Sequence, residues 1–129
     1  GLTYKVSDLM ITGERMPIVS DSESFTSVIN TISEFKLGMA MIVDSDNKLS
    51  GVLTDGDIRR TIIKYTDSLK LQVKEVMTVN PKRITVDAYA ASALNLMEKF
   101  SITALAVVDE NNVPVGVIHV HDLLRAGVA

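Results

Sequence analysis

A stretch of 26 residues in this chain occurs twice. FKLGMAMIVDSDNKLSGVLTDGDIRR (35–60) aligns without gaps over FSITALAVVDENNVPVGVIHVHDLLR (100–125), 65 positions on. Phe35, Val43, Asp44, Asn47, Gly51, Val52, Asp57 and Arg60 meet identical residues, and most other positions keep their apolar or polar character. Upstream, VSDLM (6–10) echoes VKEVM (73–77) at an offset of 67, so the first copy carries two extra residues between its blocks. A repeat of this period constrains the fold strongly. The chain has 129 residues, and independent units of about 60 residues bury too little surface to be comfortable alone. The copies are therefore expected to share a core and to pack about a pseudo-twofold axis.

Each copy reads as the same series of elements. A short helix ends in DLM or EVM, and an extended piece follows, PIV at 17–19 or RITV at 83–86. An amphipathic helix comes next, with Phe25, Val28, Ile29 and Ile32 at helical spacing in the first copy and Ala90, Ala93, Leu94 and Met97 in the second. The runs MAMIVD and ALAVVD are apolar throughout, as a strand covered on both faces requires. SDNK and ENNV supply turn residues, because Asn and Asp tolerate left-handed backbone and make side-chain turns. A second strand, LSGVL or VGVI, pairs back, and a closing helix starts at Thr54 or His119. The expected fold class is α/β, two β-α-β-β-α repeats at 5–66 and 72–128.

Composition narrows the function. Apolar residues make up 47% of the chain but aromatics only 5%, with no Trp, so the core is aliphatic and there are few rings for stacking bases. The net charge is −3 and the basic residues lie singly or in pairs, so no stripe tracks a phosphate backbone and no nucleic-acid partner is expected. The absence of cysteine removes disulfides, thiolate metal sites and a Cys nucleophile. No run approaches the roughly 20 apolar residues of a membrane span, and the N-terminus GLTYKVSDLM has no secretory pattern. A soluble, cytoplasmic protein with no membrane partner is expected. Gly1 reads as an expression scar, and the abrupt start as that of a domain cut from something longer.

The repeat, and within it Gly51-Val52-Leu53-Thr54-Asp55-Gly56-Asp57, resembles the CBS domain in tandem over residues 5–128. The family's corner, Gly, two apolar residues, Ser or Thr, two free positions and Asp, is met fully there. The second copy, Gly116-Val117-Ile118-His119-Val120-His121-Asp122, departs from it by placing His where the hydroxyl belongs. More narrowly, GVLTDGDIRR with the terminal GVIHVHDLLRAGVA resembles the regulatory tail of sugar-phosphate isomerases of the D-arabinose 5-phosphate type, which supply Kdo for outer-membrane and capsular polysaccharide. In that family a catalytic sugar-isomerase (SIS) domain precedes the CBS pair, and no SIS sequence is present here. The resemblance implies a non-catalytic regulatory module that partners the SIS domain of its parent chain and forms a homodimer through the CBS pairs. It needs no resident cofactor; its expected ligand is a regulatory nucleotide, an adenine nucleotide or CMP-Kdo.

Physically, a strand running into a helix leaves backbone N–H groups for an anion, and the aspartate three residues on offers acceptor oxygens for a vicinal diol. The resemblance places phosphate at Thr54 and ribose at Asp57, framed by Pro17, Ile18, Gly38, Met39 and Ala40. Its counterpart in the second copy comprises Arg83, Ile84, Thr103, Ala104, His119 and Asp122. The same Thr54 and Asp57 also form a good helix-capping pair, and the sequence leaves both roles open. Gly51 lets neighbouring chain or ligand approach the backbone closely.

Other chemistries are weaker. His119 and His121 form a His-x-His pair, but at a strand-to-helix junction and with Asp122 as the only evident third ligand, so no metal site is expected. DSDNKLSG opens like a calcium loop, yet Lys48 and Leu49 fill its fifth and sixth positions and no Glu closes it, so it reads as a hairpin turn. No nucleophile-base or paired-Glu arrangement recurs, so no catalytic residue is assigned. Met10, Met77 and Met97 read as core filler. The rival to ligand sensing is a structural module with empty clefts that mediates oligomerisation, with the weakly charged closing helices as its surface.

Overall fold

The computed structural model describes residues 3–129; Gly1, read above as a scar, lies outside them. The chain divides into two compact units. One joins residues 3–16 to Lys82–Ala129, and the other is Pro17–Pro81. The opening segment of each sequence repeat thus belongs to the unit built on the other repeat's strands.

In chain order, α1 (Val6–Leu9) and a 3-10 turn (Gly13–Arg15) precede β1 (Ile18–Ser20), α2 (Phe25–Phe35), β2 (Met39–Val43), β3 (Leu49–Thr54) and α3 (Asp55–Lys64). Two further 3-10 turns (Ser68–Lys70, Val73–Glu75) lead to β4 (Thr78–Val79), β5 (Arg83–Thr85), α4 (Ala90–Phe100), β6 (Ala104–Val108), β7 (Pro114–His119) and α5 (Val120–Arg125). The helix expected to end in EVM is a single 3-10 turn. Its reach is set by Gln72 and Glu75, whose side chain returns to the Gln72 N–H at 2.8 Å and closes the turn after three residues.

In the Pro17–Pro81 unit the sheet order is β1-β2-β3-β4, with β1 parallel to β2 and the other pairs antiparallel. In the other unit β5-β6-β7 repeats this pattern, with β5 parallel to β6 and β7 antiparallel. Where β4 lies in the first, Ile11 bridges Val117 of β7. The two hairpins share even their irregularity, a register shift at Ile42/Val43 and at Val107/Val108. Their turns are built alike. Asp44 Oδ1 accepts from the N–H groups of Asp46 and Lys48, and Asp109 Oδ1 from those of Asn111 and Val113, at 2.8–3.0 Å. Asn47 and Asn112 take the left-handed positions, with φ of 62° and 64°. The calcium-like DSDN is therefore a turn in which the leading carboxylate is spent on backbone.

All five residues of β2 are buried, as its unbroken apolar run predicts. Phe25, Val28 and Ile32 of α2 pack with Val19, Ala40, Ile42, Leu53 and Val73, and Ile29 covers the edge of that cluster. Ala90, Ala93, Leu94 and Met97 of α4 pack with Val6, Ile84, Leu105, Val107, Ile118 and Leu123. Gly51 and Gly116 mark where chain crosses a strand. A Cβ on Gly51 would sit 2.6 Å from Met77 Sδ and 2.8 Å from the Thr78 carbonyl; on Gly116 it would sit 2.6 Å from Met10 Sδ and 3.2 Å from the Ile11 carbonyl. The close approach predicted at Gly51 is made by the protein's own backbone.

Candidate functional site

Parallel pairing of β1 with β2 and antiparallel return of β3 put three chain ends at one edge of the sheet. Pro17 accepts from the Met41 N–H at 2.8 Å, Met39 lies opposite Thr54, and the Asp55 N–H reaches the Gly38 carbonyl at 3.0 Å. Pro17, Ile18, Gly38, Met39, Ala40, Thr54 and Asp57 are thus gathered by one unit. Met39 and Ala40 turn their side chains into the core, whereas Ile18 is 36% exposed. Gly38 has φ 71°, a left-handed backbone that suits glycine, and faces the Asp55 carboxylate.

The second unit repeats the arrangement. Arg83 pairs with Ala106 and Ile84 with Val107, Ala104 lies opposite His119, and the Val120 N–H donates to the Thr103 carbonyl at 2.8 Å. Ile84 is buried in the core. Arg83 Nη1 donates to Asn112 Oδ1 at 2.6 Å, so it supports the hairpin turn.

Thr54 is the N-cap of α3. Its hydroxyl accepts from the Asp57 N–H at 3.1 Å, and Asp57 Oδ2 accepts in return from the Thr54 N–H and Oγ1, both at 3.0 Å. That reciprocal pair is a capping box, favoured further by a carboxylate at the positive end of the helix. Asp57 Oδ1 takes two more donors, Arg60 Nη2 and Thr78 Oγ1, each at 2.9 Å. The Asp57 side chain is only 8% exposed, and all of its roughly four acceptor positions are filled.

At the other corner the same backbone carries different chemistry. His119 caps α5 through Nδ1, which accepts from the His121 N–H at 3.1 Å. Nδ1 is therefore unprotonated and Nε2 carries the hydrogen of the neutral ring. Burial, with the positive charge of a protonated His121 and of Arg125 nearby, holds the His119 pKa below its usual value against the pull of Asp122. The two imidazoles lie 4.7 Å apart, tilted by 55°. Asp122 Oδ2 accepts from the His119 N–H at 3.1 Å and Oδ1 from Arg125 Nη2 at 2.9 Å. Among the described residues no group of three or more His, Cys, Asp or Glu side chains is placed to hold a metal ion.

Sequence reasoning missed the arginine clamps and Thr78. Arg60 and Arg125 sit three residues after the aspartates in both repeats, a helical i,i+3 spacing that could have exposed them. Thr78 gave no such signal, because its counterpart at the upstream offset is Ile11, which cannot donate from its side chain.

The CBS domain family model matches the chain twice, over residues 6–64 and 73–129. The chain is 42% identical over 127 residues to the arabinose 5-phosphate isomerase KdsD of Pseudomonas aeruginosa, covering 98% of this chain and 39% of that protein. It is 39% identical over 127 residues to the KdsD of Yersinia pestis, covering 98% and 38%. The chain thus spans about two fifths of the length of these curated relatives. Among solved structures, the CBS domain pair of protein MJ0100, in complex with 5′-methylthioadenosine and S-adenosyl-L-methionine, superposes with a TM-score of 0.84 at 25% identity, over 97% of this chain and 96% of that one. CBSX2, in complex with AMP, has the same fold at 21% identity, with a TM-score of 0.86 over 96% of each chain. Twice-repeated sheet, twice-repeated corner and twice-matched family model agree: the chain belongs to the CBS domain family, as a tandem pair related to part of the KdsD isomerases.

Proposed function

We propose that this CBS pair is the non-catalytic regulatory region of an arabinose 5-phosphate isomerase and senses a nucleotide or nucleotide-sugar. The observation that carries the reading is the repeated strand-to-helix corner, Thr54 with Asp57 and His119 with Asp122, in a chain about 40% identical to KdsD over nearly all its length. The candidate ligands are an adenine nucleotide, as adenosine compounds occupy the MJ0100 pair, and CMP-Kdo, the activated sugar to which arabinose 5-phosphate leads. The ligand is taken at such a corner. Pro17, Ile18, Gly38, Met39 and Ala40 frame it in the first repeat, and Arg83, Ile84, Thr103 and Ala104 in the second.

The parent chain supplies an SIS domain that interconverts ribulose 5-phosphate and arabinose 5-phosphate in the cytoplasm, for lipopolysaccharide or capsule synthesis. Ligand binding then shifts the parent only by its differential affinity for two arrangements of the pair. Isothermal calorimetry of the chain with AMP, ATP, CMP and CMP-Kdo tests the reading. Saturable heat from at least one is expected, and none from all four overturns it.

A second reading, a structural module that assembles the parent, is favoured by one observation. On α3, Ile62 and Ile63 are 53% and 79% exposed, and on α5 Leu124 is 57% exposed; exposed apolar side chains on each closing helix suit contacts in a homodimer. It predicts dimerisation in sedimentation with no thermal shift from any nucleotide. No helix among the described residues is long and apolar enough to cross a membrane.

A further inference from the structure

We propose that the cavity at the start of α4 is where the parent protein is joined to this pair: the chain that leads into Thr3 in the longer protein lies across the first turn of α4. The inference rests on the reading of the chain as part of a larger isomerase, and it puts the joint on the second repeat.

The internal repeat shows what covers such a place. In the Pro17–Pro81 unit, the Phe25 N–H donates to the Leu71 carbonyl at 2.9 Å, the Val73 N–H to the Glu23 carbonyl at 3.0 Å, and Ser24 bridges Gln72. The other unit makes the same three contacts. There the Ala90 N–H donates to the Tyr4 carbonyl and the Val6 N–H to the Ala88 carbonyl, both at 2.8 Å, and Lys5 bridges Tyr89. Immediately upstream of Leu71, the 3-10 turn Ser68–Lys70 lies against the start of α2, where the Thr26 hydroxyl donates to the Leu69 carbonyl at 3.1 Å. Beside α4 the equivalent place is an open cavity of about 480 Å³.

Both ends of the described chain line this cavity, Thr3 and Tyr4 from one side and Gly127, Val128 and Ala129 from the other. The pair spans about two fifths of its curated relatives, and chain tethered at the rim reaches the cavity at high effective concentration. The walls suit polypeptide. Ser24 caps α2 by accepting from the Ser27 N–H, whereas Tyr89 gives α4 no side-chain cap, so first-turn N–H groups are left for an outside carbonyl. Tyr89 is 56% exposed, and neither its hydroxyl, the Ser92 hydroxyl nor the Asn95 amide has a hydrogen-bond partner among the described residues. No charged side chain among those residues lines the cavity. Neutral donors and acceptors beside a tyrosine ring and alanines fit a chain segment better than an ionic ligand.

The test is amide hydrogen exchange, measured by mass spectrometry on the full-length parent and on this pair alone. Amides of 90–95 are expected to exchange at least tenfold more slowly in the parent, at every protein concentration. Equal rates overturn the proposal. Protection that appears in the pair alone as its concentration rises marks a second copy as the occupant and also overturns it. Ser92→Arg with Asn95→Arg, both at exposed positions, should return the parent's rates to those of the pair; retained protection places its source elsewhere and overturns the proposal. The wild-type comparison needs no variant, so a poorly folding double variant does not decide the matter. Turnover of ribulose 5-phosphate by the parent tests the isomerase reading separately: its absence overturns that reading, whereas turnover with equal exchange rates overturns the joint alone.

Discussion

The two repeats reach one sheet pattern by the same route and then fill the seam beside it differently. In the first, α2 and α3 leave an open cavity of about 360 Å³ edged by Ile29, Ile32, Ser33, Lys36, Asp55 and Ile58. The residues 65 positions on are Leu94, Met97, Glu98, Ser101, Val120 and Leu123. There Leu123 is fully buried against Leu94 and Met97, with Val120 packed on the same cluster. With Ser101 and Val120 in place of the charged Lys36 and Asp55, Val120 packs onto the apolar cluster and the closing helix settles onto its neighbour, while Glu98, at the counterpart of Ser33, stays exposed. The closed seam fixes the second repeat's corner through apolar packing. The open one leaves the first corner to be fixed by hydrogen bonds.

The largest effect should come from deleting the packing. Leu123→Ala is expected to cost about 3 kcal/mol, since a fully buried leucine leaves both lost transfer energy and a cavity. Its counterpart Ile58→Ala, on the rim of an existing cavity, should cost about 1 kcal/mol. Urea midpoints of the two variants measure the contrast, and equal losses would remove it.

Hydrogen bonding should show the reverse ranking. Asp57→Ala strips the acceptor from four donors and should cost about 2 kcal/mol, whereas Asp122→Ala frees two and should cost about 1 kcal/mol. Thr78→Val sharpens the point, because it removes one donor to Asp57 and touches nothing equivalent in the second repeat. A midpoint for Asp122→Ala below that of Asp57→Ala would show that the extra donors add nothing.

The glycines give a smaller difference. A methyl at Gly51 meets the Thr78 carbonyl at 2.8 Å, backbone that moves only with β4, and Gly51→Ala should cost about 1.5 kcal/mol. At Gly116 the closest atom is the end of the flexible Met10 side chain and the nearest carbonyl is 3.2 Å away, so Gly116→Ala should cost less. Thermal melts of the pair read the order directly.

Much of this was legible because the sequence states it twice. The repeat located both hairpins, the buried strands MAMIV and ALAVV, and the helix starts at Thr54 and His119, since apolar runs, Asn turns and capping residues act locally. The partners of Asp57 beyond its own helix were not legible. Thr78 arrives from 21 residues away on β4, a two-residue strand with no periodicity to betray it. Nor did the pattern reveal that residues 3–16 join the strands of the second repeat, because chain order says nothing about which sheet a short helix covers.

The smallest expected effect belongs to His119, whose imidazole caps α5. His119 caps α5 only while Nδ1 is unprotonated, so protonation removes the acceptor for the His121 N–H. Burial first, then the neighbouring positive charges, keep its pKa in the folded chain below the ordinary 6.5. The unfolded chain therefore binds this proton more readily than the folded one. The contribution is fully present above pH 6.5, and falls as the pH drops through 6.5 toward the lowered folded value. Half-buried, the group is partly screened, and the loss should stay under about 1 kcal/mol. His119→Thr rebuilds the Thr54 arrangement and removes the titration. Its stability relative to wild type should rise as the pH is taken from 7.5 to 5 in parallel urea titrations. A difference that stays flat over that range would mean that the imidazole cap contributes nothing its protonation can remove.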